Sequence, residues 1–143
     1  MSSVDEVTRL GVGLIILRGN KILMSKRRNA HGSGSYAGPG GNINYMESPK
    51  AAVLRELEEE CGNSLKVSDP KLLCVVHWEE FKPIHYIGFG FIANYIDGEA
   101  EITEPEKFES WEWHDLNDLP HPLFGVMQSY IESFKTSINY IES

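Results

Sequence analysis

Glu56, Glu59 and Glu60 stand at i, i+3 and i+4 within the run Arg55-Glu-Leu-Glu-Glu-Glu60. On an α-helix these three carboxylates project from one face, where each like-charge pair opposes helix formation by about 0.2–0.5 kcal/mol. No lysine stands one turn away to neutralise them. A divalent cation is the natural balance: carboxylate oxygens suit Mg²⁺, which keeps some of its waters and takes further ligands from substrate phosphates. The chemistry served would be attack on an anionic phosphorus, where metal ions screen charge and acidify a bound water. The alternative is a solvated acidic face that binds nothing.

The element that must carry these residues is well marked. Ser48 can cap a helix and Pro49 suits its first position, while Gly62 suits its end. Val53, Leu54, Leu57 and Cys61 recur at helical spacing and predict a core-packing face roughly opposite the glutamates. Upstream, Val12 to Leu17 and Lys21 to Met24 flank Gly19-Asn20 as a hairpin, and Asn29 to Gly41 reads as a glycine- and serine-rich loop with one short strand at Tyr36. Downstream, Leu72 to Trp78, Ile84 to Tyr95 and Phe108 to Trp113 read as strands, and Pro122 to Phe134 as an amphipathic helix. This order predicts an α/β fold, a mixed β-sheet flanked by helices on both sides.

The 143 residues suit one domain over 1–143, and 41% hydrophobic with 24% charged residues is the composition of a globular chain. Twenty-one acidic against 13 basic side chains give a net charge of -8, which removes any general attraction to nucleic acid or anionic lipid. The apolar run Val12 to Leu17 is too short to span a membrane, and Met1 to Leu10 lacks a signal-peptide pattern. The expectation is a cytoplasmic protein that binds neither nucleic acid nor membrane. Cys61 and Cys74 lie outside any CxxC pair and read as buried free thiols. There is no P-loop or dinucleotide fingerprint, and His31, His77, His85, His114 and His121 lack metal-ligand spacing.

Gly41, five residues, Glu47, seven residues, then Arg55-Glu56-Leu57-Glu58-Glu59-Glu60-Cys61-Gly62 resembles the Nudix signature, G-x5-E-x7-R-E-U-x-E-E-x-G-U with U a bulky apolar residue. Every fixed position is filled except the last, where Asn63 stands. The resemblance implies the family's α/β/α sandwich and a hydrolase that cleaves the diphosphate linkage of a nucleoside diphosphate joined to another group. Carried over by position, Glu56, Glu59 and Glu60 are metal ligands, and the carbonyl of Gly40 or Gly41 is a further one. One of the three glutamates, with Glu56 the first candidate, orients or deprotonates the attacking water, and Glu47 pairs with Arg55 to brace loop and helix. The implied cofactor is Mg²⁺, with Mn²⁺ able to substitute.

Lys26-Arg27-Arg28 is a dense basic cluster just before the glycine-rich loop, so Arg27 or Arg28 is placed to hold a diphosphate, with ordinary surface charge as the alternative. The segment Glu104 to Trp113, followed by Leu119-Pro120, resembles a subgroup that includes animal and plant nucleoside triphosphate diphosphatases active on oxidised purine nucleotides. In that resemblance Trp111 or Trp113, on one face of a strand, stacks on the base, and Glu106 or Glu109 adds a late carboxylate; a core tryptophan is the alternative for either ring. The expected substrate is a nucleoside triphosphate, a small molecule split to monophosphate and pyrophosphate. ADP-ribose and dinucleoside polyphosphates are disfavoured, because the family's marker residue is missing from Trp78-Glu79-Glu80 and Pro83 comes late. A prenyl diphosphate and a non-catalytic nucleotide sensor are the other readings, and a homodimer is frequent among such relatives.

Overall fold

Val12, Leu14 and Ile16 alternate with Ile15 along the first strand and both sets are buried, so this strand has a hydrophobic core on each face. The computed structural model describes residues 6–28, 33–79 and 84–142; His31, Glu80, Pro83 and the loop positions Asn29 to Gly32 lie outside the described residues. In chain order the elements are β1 (Thr8–Arg18), β2 (Lys21–Lys26), β3 (Tyr36–Ala37), β4 (Gly40–Asn42), α1 (Pro49–Cys61), β5 (Lys66–Val67), β6 (Lys71–Trp78), β7 (His85–Asp97), β8 (Glu112–Asp115), α2 (Gly125–Thr136) and β9 (Tyr140–Glu142).

The hairpin forms as its sequence predicts, with Leu17 opposite Ile22 and Arg18 opposite Lys21 around Gly19-Asn20. β1 then runs parallel to β7 from Thr8↔His85 to Leu17↔Asn94, and on its other edge Gly11 to Gly13 pair antiparallel with β4. The sheet order is β3-β2-β1-β7-β6-β9, with β4, β5 and β8 paired to β1, β7 and β2. α1 covers one face through Ala52, Val53, Leu57 and Cys61, packed with Val12, Leu14, Ile16 and Phe91. α2 covers the other through Met127, Tyr130 and Ile131, packed with Ile15, Ile22, Cys74 and Trp78. The result is the expected α/β fold, a mixed sheet between two helices. Each large aliphatic side chain fully buried in these layers stabilises the fold by about 1.5–3 kcal/mol.

Several expectations are corrected. Leu54 is 43% exposed, and its place on the buried side of α1 is taken by Glu60, which is 5% exposed. The acidic residues therefore do not sit opposite the core face; Glu60 shares it. Phe108 to Trp113 is not one strand: Phe108 forms a lone bridge with Arg27, and ladder pairing begins only at Glu112 opposite Met24. α2 starts at Gly125 and not at Pro122, because the chain before it is held extended by Tyr36, whose N–H donates to Pro122 O and whose carbonyl accepts from Phe124 N–H, both at 2.9 Å. Cys61 and Cys74 are buried free thiols as expected, and burial pushes both thiol pKa values up. Among the described residues no helix is long and apolar enough to cross a membrane.

Candidate active site

α1 is started by its own sequence: the Ser48 hydroxyl accepts from Ala51 N–H at 3.1 Å and Pro49 fills the first helical position. Two turns on, the Arg55 guanidinium ties this helix to the loop before it. Nε and Nη2 donate to the two carboxylate oxygens of Glu47 at 2.7 and 2.9 Å, and Nη2 also donates to Asn42 O at 2.9 Å. Nη1 is shared between Glu56 Oε1 at 2.7 Å and Glu59 Oε1 at 3.1 Å. Bidentate pairing of this kind fixes orientation as well as charge. Together with Asn44 N–H, the guanidinium holds the Glu47 carboxyl down at about 2, while Glu47 and Glu56 raise the pKa of Arg55.

Glu56 and Glu60 lie deeper, against β4. A Cβ built on Gly41 would stand 2.5 and 2.6 Å from the Glu56 carboxylate oxygens, so glycine is what lets that carboxylate touch the backbone. Gly40 N–H donates to Glu60 Oε1 at 2.9 Å. Burial, with Glu56 and Glu104 nearby, pushes the Glu60 carboxyl up to about 9 against the pull of that N–H; burial also raises Glu56 despite Arg55. Among the described residues no three acidic, histidine or cysteine side chains converge into a closed metal cage. What is present is a pair of oxygen donors short of positive charge. That donor set suits a hard, hydrated divalent ion that needs few protein ligands and shares substrate phosphates, and it does not suit a thiolate or imidazole site.

The four last carbonyls of α1, which have no partner within a helix, are all met. Glu58 O accepts from Gly62 N–H at 2.9 Å, Glu59 O from the Thr103 hydroxyl, Glu60 O from Trp111 Nε1–H at 3.1 Å and Cys61 O from Glu101 N–H at 2.8 Å. The segment 101–111 is thus a clamp on the end of the helix that carries the glutamates. Trp111 serves in that clamp through its indole N–H and packs on the core of the α1 face. Trp113 lies edge-on to Tyr95 with ring centroids 5.5 Å apart, and the Arg18 guanidinium covers both rings.

A cavity of about 520 Å³ opens where the edge of β1 changes partner from β2 to β4. Arg27, Arg28, Gly40, Gly41, Glu56 and Glu60 line it. Arg55 and Glu59 stand outside the lining, linked to it through Glu56, and neither Trp111 nor Trp113 reaches it. The Arg27 guanidinium lies 4.2 Å over the Phe124 ring; burial lowers its pKa while Glu60 pulls it up. Arg28 Nη1 donates to Pro105 O at 2.8 Å, and Arg28 N–H to Lys107 O at 2.7 Å, which brings Lys107 into the lining. Of the late carboxylates Glu104 has a charge that reaches Glu60, and Glu109 sits 3.9 Å from Arg28. Sequence reasoning also missed Lys107, Trp78, Tyr86, Phe124 and Tyr130 in the wall. The available signal was the row Gly11, Gly13, Gly88 and Gly90 at alternate positions of two strands, which marks a sheet face approached closely by something else.

Comparison with known proteins gives the family. The NUDIX domain model matches residues 7–134. An ADP-ribose pyrophosphatase of Methanocaldococcus jannaschii is 39% identical over 111 residues, covering 77% of this chain and 63% of that protein. An RNA pyrophosphohydrolase of Rhizobium meliloti is 31% identical over 171 aligned positions covering 99% of each chain. The crystal structure of a MutT NUDIX hydrolase from Burkholderia pseudomallei superposes with a TM-score of 0.80 at 35% identity, covering 88% of this chain and 97% of that one. The chain belongs to the Nudix family, as a MutT-like pyrophosphohydrolase.

Two outcomes follow from this geometry. Without metal, the folded chain keeps the Glu60 proton up to about pH 9 whereas the unfolded chain releases it near 4.5, so stability falls as pH rises between those values. Glu60→Gln cannot ionise, and in chelator it is expected to melt above the parent at pH 8, the gap closing toward pH 4; a variant melting below the parent at pH 8 would contradict this. Trp111→Phe keeps the ring and deletes the donor to Glu60 O, with an expected loss of about 1–3 kcal/mol in denaturant unfolding. Unchanged stability with a raised KM for purines alone would instead return Trp111 to base stacking.

Proposed function

We propose that this Nudix pyrophosphohydrolase acts on nucleoside triphosphates, oxidised purine nucleotides included, releasing the monophosphate and pyrophosphate with Mg²⁺ as cofactor and Mn²⁺ able to replace it. The observation that carries this is one cavity lined by Glu56 and Glu60 of the acidic turn of α1, by the cations Arg27, Arg28 and Lys107 and by aromatic side chains, with the Arg27 guanidinium stacked on Phe124. Glu56, Glu60 and the Gly41 carbonyl at the cavity would hold the metal, with Glu59, paired to Arg55 outside the lining, as the outer ligand. When bound, it screens the phosphate charge and lowers the pKa of a coordinated water.

The residues of the chain do the rest. Arg27, Arg28 and Lys107 face phosphate oxygens, which favours a diphosphate seated against β4. Arg55 orients Glu56 through Oε1, and this carboxylate, which also shares a hydrogen bond with Glu60, is placed to take a proton from the attacking water. As the water oxygen bonds to phosphorus its proton passes to Glu56, and the bridging P–O bond breaks with its electron pair leaving on the departing phosphate. Positioning and charge compensation supply most of such a rate enhancement. In this reading residues 1–143 form one domain working in the cytoplasm on a small molecule.

The relative named an ADP-ribose pyrophosphatase supports a second reading, ADP-ribose at the same phosphate end. The relative named an RNA pyrophosphohydrolase supports a third, but a net charge of -8 confines any RNA contact to the terminal phosphates.

A product assay on nucleoside triphosphates, ADP-ribose, 5′-triphosphorylated RNA and geranyl diphosphate separates these readings. Nucleoside triphosphates are expected to give the highest kcat/KM, with no turnover in chelator, and Glu56→Gln to lower kcat by about 10²- to 10⁴-fold. A higher kcat/KM on ADP-ribose or RNA overturns the substrate. No turnover of any compound by the folded protein would make it a sensor.

A further inference from the structure

Tyr130 of α2 is 3% exposed, yet among the described residues its hydroxyl makes no hydrogen bond. The oxygen is not among the buried side-chain atoms that lack a partner, so it opens on the cavity that Tyr130 lines. The ring is bedded on glycines. A Cβ on Gly13 would stand 2.5 Å from Cε2, one on Gly90 2.6 Å from Cδ1, and one on Gly88 2.5 Å from the hydroxyl oxygen. The ring therefore lies across β1 and β7 with its oxygen over Gly88. The parallel partner of Gly88 is Gly11, where a Cβ would meet only Gly41 O at 3.4 Å. The floor beyond the hydroxyl is thus open, and Gly11, Gly88 and Tyr130 all line the cavity. Trp78 and Tyr86, paired across β6 and β7, form the wall with Phe124.

We propose that the Tyr130 hydroxyl selects the substrate by hydrogen-bonding an edge atom of an aromatic nucleobase lodged among Trp78, Tyr86 and Phe124. This rests on the reading of the cavity as a diphosphate site and names what its aromatic lining would hold. Ring nitrogens and exocyclic groups of a base satisfy the hydroxyl. An alkyl tail fills the same apolar space and leaves the oxygen unpaired, a penalty that discriminates more sharply than hydrophobic fit. Burial keeps the phenol neutral, so it can donate as well as accept. The three glycines are the sequence cost of placing a tyrosine there, since each forgoes a packed side chain on a sheet face.

Tyr130→Phe tests the assignment, with kinetics on a nucleoside triphosphate and on geranyl diphosphate, and calorimetric binding of the matching nucleoside monophosphate. KM for the nucleotide and Kd for the monophosphate are expected to rise about tenfold with kcat little changed. Geranyl diphosphate is expected to be handled as well as or better than by the parent, and the variant to melt no lower. Unchanged nucleotide constants, or equal losses for both compounds, overturn the role of Tyr130 while leaving nucleotide hydrolysis standing. A parent protein that neither binds nor hydrolyses nucleotides overturns both.

Discussion

One guanidinium organises the acidic centre. Arg55 makes five hydrogen bonds, to the carboxylates of Glu47, Glu56 and Glu59 and to the carbonyl of Asn42, and so joins the loop after β4 to the helix that follows it. Without a cation at this point three carboxylates would face one another at the edge of an apolar layer, and a buried charge deprived of its partner is a severe local defect. The network therefore fixes orientation more than it adds net stability. Arg55 holds one oxygen of Glu56, whose carboxylate lies against Gly41, and Glu60 is shared between Gly40 N–H and the Glu56 carboxylate.

Glycine decides how close the two helices come to the sheet. Gly41 admits a carboxylate from α1, whereas Gly13, Gly88 and Gly90 admit an aromatic ring from α2. Both approaches converge where β1 exchanges β2 for β4, and the cavity opens at that discontinuity. Its charged and its aromatic lining thus meet at one topological feature, the split edge of a single strand. The clamp of Glu101, Thr103 and Trp111 on the last carbonyls of α1 secures the helix from its other end.

What the sequence made legible was local. Ser48-Pro49 and Gly62 mark the ends of α1, Gly19-Asn20 marks the hairpin, and the spacing of Glu47, Arg55, Glu56, Glu59 and Glu60 carries both the ion pair and the family. Reading the helix by apolar spacing misassigned Leu54 and Glu60, because part of the surface that α1 meets is backbone, Gly40 and Gly41, and backbone attracts a carboxylate. Trp111 looked like a platform for a base because an indole offers a face; its use depends on the distant Glu60 carbonyl finding its N–H. The aromatic wall combines Trp78, Tyr86, Phe124 and Tyr130 from two strands, a connecting segment and a helix, a juxtaposition that no local period encodes. β4, read as part of the glycine-rich loop, and β5 and β9 escaped notice because two or three residues are too few to show alternation.

The central claim is that the turn Arg55 to Glu60 is a specific divalent-cation site and not merely an acidic surface. Manganese binding followed by electron paramagnetic resonance compares two variants of equal net charge, Glu56→Gln at the cavity and Glu58→Gln on the exposed side of the same helix. A specific site requires Glu56→Gln to lose at least about tenfold in affinity while Glu58→Gln binds as the parent does. Equal binding by both variants would contradict it.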